Sequence, residues 1–230
     1  MNSCESAYSS VLKRIASASR SAGLAEPARL VAVGKTKPAE EIRRLAHLGQ
    51  RAFGENYVQE ARAKQAQLSD LDLEWHAIGP LQSNKCRDVA RHFDWLQTLD
   101  RERLIEPLAR DRPDGRAPLN VLIQVNIDDE ASKAGCAPDA VPRLAASVRA
   151  QSALRLRGLM SIPAPEPDFA RRRIAFARMR ELFDALAAGD PRVDTLSMGM
   201  SEDFELAIAE GATMVRIGSA LFGARDHASR

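Results

Sequence analysis

Lys35 is placed where an amine could do covalent chemistry. It ends the run Arg29-Leu30-Val31-Ala32-Val33-Gly34-Lys35 and is followed at once by Thr36-Lys37-Pro38. Partial burial disfavours the charged form of an amine and makes it a nucleophile towards carbonyl carbon. Beside Lys37, the same residue also reads as a solvated surface lysine. A second group of chemically useful residues comes late in the chain, at Ser197-Met198-Gly199-Met200-Ser201 and Arg216-Ile217-Gly218-Ser219. Small residues there leave backbone N–H groups open. A helix beginning just after Ser201 would offer unpaired donors and positive potential to an anion.

Other polar residues carry two readings each. Ser201 is also a good N-cap, with Glu205 near the first turn, and Asn56 could cap the helix that follows it. His76, beside Trp75 at an apolar strand end, reads as a satisfied structural histidine or as a ring that stacks on a ligand. Arg216 alternates with Val215 and Ile217 and so points to the opposite face. Inside a barrel such a guanidinium must meet a ligand or a carboxylate. Glu55 and Glu202 read as helix-entry carboxylates. There is no metal-ligand cluster, no serine or cysteine triad motif and no Walker sequence.

The elements that must position these residues alternate along the chain. A first helix spans about Glu5 to Ala22, with Tyr8, Val11, Leu12 and Ile15 on one face. Leu30–Val33 is short, apolar and rich in β-branched residues, as a buried strand is. Pro38 then opens an amphipathic stretch that closes at Gly49, the asymmetry of a helix start and stop. Further strands are expected at Arg51–Gly54, Leu73–Ile78, Asp94–Thr98, Leu119–Asn126, Leu154–Ile162, Val193–Met198 and Met214–Gly218. Helices are expected at Val58–Leu68, Ser83–His92, Arg101–Arg110, after Pro138, at Asp168–Ala187 and at Glu202–Glu210. The stripe of the Asp168–Ala187 helix is Phe169, Phe176, Met179, Phe183 and Leu186.

Eight strand–helix units predict a single (β/α)8 TIM barrel over residues 1–230, with an extra N-terminal helix (1–24) packed on it. An open doubly wound sheet is the alternative. It would normally begin with a Gly-rich first turn, and Gly34-Lys35-Thr36 is not one. Pro163-Ala164-Pro165-Glu166-Pro167 reads as a stiff loop, not a domain boundary. In a barrel the site lies at the carboxyl ends of the strands, which places Lys35 across from the Ser201 and Gly218-Ser219 segments. A reactive amine facing an anion cradle predicts an aldehyde bearing a phosphate, with pyridoxal 5′-phosphate the obvious candidate.

Composition narrows the class. The 230 residues are 45% hydrophobic and 28% charged, with a formal net charge of +2. That balance shows no footprint for nucleic acid or an anionic membrane. No apolar stretch reaches the roughly 18–20 residues of a membrane span, and the N-terminus lacks signal-peptide features. Cys4, Cys86 and Cys136 are widely spaced and form no Cys-x-x-Cys pair, which points to a reducing cytoplasm.

Six segments resemble the pyridoxal phosphate homeostasis protein family, itself related to the barrel domain of bacterial alanine racemase. They are 32–38, 53–60, 75–85, 157–160, 196–201 and 214–219, followed by Phe222-Gly223-Ala224-Arg225. They run in order over nearly the whole chain. The resemblance implies one barrel that binds pyridoxal 5′-phosphate as a Schiff base on Lys35. It places phosphate contacts on Ser201, Gly218 and Ser219, puts Arg216 near the pyridine nitrogen, and lines the pocket with Asn56, His76 and Met160. Two departures stand out. Gly34 replaces the serine usual before the lysine, and Ser219 stands where threonine is frequent.

The resemblance also implies a binder without catalytic turnover, serving intracellular pyridoxal phosphate (vitamin B6) homeostasis and, indirectly, amino-acid metabolism. The chain ends soon after the eighth strand, so the β-domain that completes racemase and decarboxylase sites is expected to be missing. An arginine at the pyridine nitrogen would also weaken the cofactor as an electron sink. A pyridoxal phosphate-dependent racemase or lyase is the enzymatic alternative. An aldolase-type barrel using Lys35 on a substrate carbonyl is a third. The expected protein is a cytoplasmic monomer that meets pyridoxal phosphate-dependent apoenzymes transiently, if at all.

Overall fold

The computed structural model describes residues 3–128, 134–163 and 168–223. Within them, eight parallel strands pair in chain order and close into a barrel. The strands are β1 (Arg29–Val33), β2 (Ala52–Glu55), β3 (Glu74–Ala77), β4 (Trp95–Leu99), β5 (Leu119–Gln124), β6 (Leu154–Met160), β7 (Thr195–Ser197) and β8 (Met214–Ile217). β8 returns to β1, with Leu30 opposite Val215 and Ala32 opposite Ile217. The (β/α)8 architecture expected from the sequence is the one observed.

The strands read as continuous apolar runs because both of their faces are buried. In β1, Leu30 and Ala32 face the helices. Val31 points inward and joins Ala52, Trp95, Leu122, Met160 and Met214 in a separate cluster. That inner cluster packs the barrel axis, so the barrel is a filled core with no pore.

The helices are α1 (Ser3–Ser21), α2 (Ala39–His47), α3 (Val58–Gln67), α4 (Cys86–His92), α5 (Ile105–Arg110), α6 (Val141–Arg149), α7 (Phe169–Ala187), α8 (Phe204–Ala209) and α9 (Ser219–Phe222). Tyr8, Val11 and Ile15 carry α1 onto the outer core. Leu12, expected on the same face, is instead exposed. Arg14 joins α1 to α8 by two 2.7 Å bonds to Glu205, and its guanidinium lies 4.5 Å from the Phe204 ring centre.

Several local expectations are corrected. In α7, Phe176, Met179 and Phe183 are buried but Phe169, at the first turn, is 64% exposed, its ring covered on one side by the Arg172 guanidinium 5.5 Å away. The N-cap of α7 is Asp168, whose carboxylate accepts the Ala170 N–H at 2.8 Å. α8 begins at Phe204, later than expected, with Asp203 at its N-cap, so Ser201 is not the cap. Tyr57, not Asn56, holds the N-cap position of α3. Asn126 lies past the end of β5, beside an isolated bridge between Val125 and Cys136. Residues 164–167 of the proline-rich loop, and Ala224 and Arg225 of the last matching segment, lie outside the described residues. Among the described residues no helix is long and apolar enough to cross a membrane.

Candidate functional site

β1 ends at Val33, and the chain turns at once. The Lys37 N–H donates to the Gly34 carbonyl at 2.9 Å, closing a turn with Lys35 and Thr36 at its corners. Thr36 has φ +66°, in the left-handed region that a β-branched side chain rarely enters. Two contacts hold it there. The Thr36 N–H donates to Glu60 Oε1 at 2.8 Å, and Lys37 Nζ donates to the Phe222 carbonyl at 3.1 Å. Such strain marks a functional position when the surroundings over-determine it, as they do here.

Beneath this turn lies a buried charge cluster that the sequence reading missed. Lys64 Nζ donates to the Gly34 carbonyl at 2.8 Å, to Glu55 Oε1 at 2.8 Å and to Glu60 Oε1 at 2.7 Å. Glu55 is thus no helix-entry carboxylate: it ends β2, is 1% exposed, and its second oxygen has no partner. Burial outweighs the adjacent Lys64 and pushes the Glu55 carboxyl up to about 7. The Glu60–Lys64 spacing of four residues on a helix was a signal that could have been read.

The turn opens onto a cavity of about 390 Å³ at the carboxyl ends of β1, β7 and β8. Lys35, Ser201, Arg216, Gly218 and Ser219, all expected at the site, line it together. Asn56, His76 and Met160 do not. Met160 belongs to the inner cluster, and His76 is fully buried against Trp95, ring centres 5.2 Å apart and nearly parallel. His76 follows the structural reading, with both ring nitrogens engaged: Nε2 with Glu74 at 2.5 Å and Nδ1 with Gln97 at 2.9 Å. Burial lowers its pKa below the usual histidine value.

Gly199 has φ +93°, and a side chain there would collide with Phe204 and Ala207, so glycine lets the β7 loop fold tightly onto α8. Ser201 Oγ accepts the Ala220 N–H at 3.4 Å, which ties this loop to the first turn of α9. Arg216 is 4% exposed and is held by two hydrogen bonds. Its Nη1 donates to Ser197 Oγ at 2.6 Å and its Nη2 to the Ser161 carbonyl at 2.8 Å. Burial, opposed by Asp203, brings it down to about 10, so it stays charged at neutral pH.

Arg172 is a cavity residue that sequence reasoning missed. It sits in the run Arg171-Arg172-Arg173, which reads as a solvated helix face, yet it lines the cavity and lies 3.5 Å from Asp203. The lining holds four cationic side chains (Lys35, Lys37, Arg172, Arg216) against two carboxylates, Glu202 and Asp203. Among the described residues no hydrogen bond or ion pair engages Lys35 Nζ. Close by, Ser161 Oγ is buried without a partner next to the Arg216 contact. A free amine, an excess of positive charge and hydroxyl and amide donors suit a ligand with a carbonyl carbon and a phosphate. The donor set therefore fits pyridoxal 5′-phosphate.

Residues 10–226 match the family profile of the alanine racemase N-terminal domain. The pyridoxal phosphate homeostasis protein of Pseudomonas aeruginosa is 55% identical over 219 residues, 94% of each chain. The protein of that name from Escherichia coli K12 is 51% identical over 94% of this chain and 93% of its own. The structure of PipY from Synechococcus elongatus with pyridoxal phosphate bound superposes with a TM-score of 0.77 at 40% identity, covering 93% of this chain and 100% of that one. Alanine racemase from Corynebacterium glutamicum shares the fold at 21% identity, with a TM-score of 0.60, over 95% of this chain and 63% of that enzyme. On sequence, fold and site geometry together, the chain belongs to the pyridoxal phosphate homeostasis protein family, built on the alanine racemase N-terminal barrel.

Proposed function

We propose that this protein binds pyridoxal 5′-phosphate reversibly and holds it without catalytic turnover, as a component of vitamin B6 homeostasis. The observation that carries the reading is the meeting, in one cavity, of the unpaired Lys35 amine with the Ser201, Gly218 and Ser219 wall. The names of the relatives above, and the bound cofactor in PipY, support it. When bound, the cofactor supplies an electrophilic aldehyde carbon and a phosphate dianion. Lys35 Nζ is the nucleophile for that carbon. Ser201 and the backbone at Gly218-Ser219 hold the phosphate, aided by the positive charge of Arg172 and Lys37. Arg216 keeps its charge on the barrel side of the ligand.

Absence of turnover is supported by what lines the cavity. Among the described residues it contains no tyrosine, histidine or cysteine to serve with Lys35 as a second acid–base group. Of its carboxylates, Asp203 accepts the Met200 N–H at 2.7 Å and faces Arg172. We also read the protein as a monomer that passes cofactor transiently to apoenzymes.

Three measurements test the reading. Lys35→Ala is expected to lose the visible absorbance of bound cofactor, and a variant that keeps it fully overturns the site. Borohydride reduction is expected to add a pyridoxyl mass to the Lys35 peptide of the purified protein, whereas an aldolase-type barrel would carry none. Interconversion of alanine enantiomers at a rate abolished by Lys35→Ala would establish the racemase alternative instead.

A further inference from the structure

A file of hydrogen bonds runs down the inside of the barrel from the cavity to its opposite mouth, with one branch at Gln97, whose Nε2 also donates to Met214 Sδ at 3.3 Å. Arg216 Nη1 donates to Ser197 Oγ at 2.6 Å, and Ser197 Oγ donates to Gln97 Oε1 at 2.7 Å. Gln97 Nε2 lies 2.9 Å from His76 Nδ1, and His76 Nε2 lies 2.5 Å from Glu74 Oε1. Glu74 closes the file against Arg29, 2.8 Å away. Ser197, Gln97 and His76 are all fully buried, and they come from three strands, β7, β4 and β3.

The two ends dictate the sense of every bond. A guanidinium has donors only, so Ser197 must accept from Arg216 and can spend its one proton only on Gln97. Gln97 must then present oxygen to Ser197 and its NH₂ to His76. The His76 Nδ1 must accept, which leaves its proton on Nε2, facing an acceptor-only carboxylate. Amide orientation and histidine tautomer thus follow from the terminal groups instead of from a free choice. Because an amide does not readily pass a proton along, the file orients and does not conduct. Reversing any one member sets donor against donor somewhere in a dry interior, where an unmade bond is costly.

We propose that Gln97 is a positioning residue of the cofactor site: through Ser197 it fixes the Arg216 guanidinium that the cavity presents to its ligand. Gln97 itself does not line the cavity. The inference deepens the pyridoxal phosphate reading and rests on it for its ligand-dependent part, but the hydrogen-bond sense can be measured without ligand.

Nitrogen-15 NMR of histidine-labelled protein free of cofactor is expected to show His76 neutral with its proton on Nε2 at pH 7. The Nδ1–H tautomer would overturn the proposal. Gln97→Met, close in volume but unable to bond, is expected to release pyridoxal 5′-phosphate about tenfold faster, the loss of about one hydrogen bond. Gln97→Glu keeps the acceptor for Ser197 and is expected to release cofactor near the wild-type rate. Its His76 should take a second proton between two carboxylates, with Arg29 opposing and Asp94 assisting. Unchanged release in Gln97→Met, or equally fast release in both variants, overturns the proposal. If the wild-type protein takes up no pyridoxal 5′-phosphate, the functional reading fails, and the tautomer alone then decides whether the file exists as described.

Discussion

Lys64 donates to the carbonyl of Gly34 across 2.8 Å, one peptide unit before the lysine that faces the cavity. The same ammonium touches Glu55 and Glu60, and Glu60 in turn holds the Thr36 N–H. Both peptide groups flanking Lys35 are therefore anchored to one buried charge cluster. A nucleophile on a turn is only as well placed as that turn, and this cluster sets its geometry.

Removing the cation should expose how much the cluster matters. Lys64→Met leaves Glu55 buried without its partner, and is expected to cost about 3–5 kcal/mol in denaturant unfolding. Adding Glu55→Gln should recover part of that loss, since the two groups are in contact. A Lys64→Met cost below about 1 kcal/mol would show that the turn does not depend on the cluster.

Glu55 also predicts a pH dependence with a definite sign. Its folded carboxyl sits near 7, above the ordinary value of 4.5, so between those values the folded state binds the extra proton. The stability it contributes is complete below about pH 4.5 and is lost as pH rises through about 7. The span corresponds to about 3 kcal/mol. Unfolding free energies of the parent and of Glu55→Gln, measured from pH 5 to 8, should diverge with a flatter slope for the variant. Parallel curves would refute this assignment.

Gly34 sits where an added side chain would have to displace its neighbours. A Cβ there would stand 2.7 Å from Glu55 Oε1 and 3.1 Å from Ile42 Cδ1. Gly34→Ala is expected to cost about 1–3 kcal/mol through overpacking. Gly34→Ser should cost less, because its hydroxyl can reach the Glu55 carboxylate, one oxygen of which lacks a partner. Thermal melts of the two variants settle the order, and an alanine variant as stable as the parent would refute the steric argument.

Thr36 stores strain that a glycine would release. The left-handed conformation costs an L-residue about 1–2 kcal/mol, and glycine's extra chain entropy returns about 0.5–1. Thr36→Gly should therefore be neutral or more stable by up to about 1.5 kcal/mol in denaturant unfolding. A loss of more than about 1 kcal/mol would mean that the threonine side chain contributes a contact of its own.

The legible part of this protein was local. Apolar runs such as Leu30–Val33 and Val121–Ile123 announce strands buried on both faces, and Pro38 and Gly49 bracket a helix whose Ile42 and Leu45 are fully buried. Helix starts were less legible. Ser201 has the right chemistry for a cap, but its hydroxyl is taken by the Ala220 N–H of another element, and α8 begins three residues later. Arg172 was hidden for a related reason: its neighbours are ordinary surface arginines, and only the position of α7 turns this one inward.

By itself the sequence determined the alternation of elements, the barrel class, the family, and the gathering of Lys35, Ser201, Arg216, Gly218 and Ser219 at strand ends. The elements, the barrel class and the strand-end positions follow from periodicity within short segments, and the family from the resemblance of six segments that run in order along the chain. Tertiary structure alone decided which polar groups meet inside. Ser197 and Gln97 are 100 residues apart in sequence and Lys64 and Gly34 are 30 apart, yet each pair is within hydrogen-bonding distance. Barrel closure sets the register that brings β4 to face β7 and α3 to cover the β1 turn. Hydrogen bonds are short and directional, so their partners are chosen by that register and not by residue type.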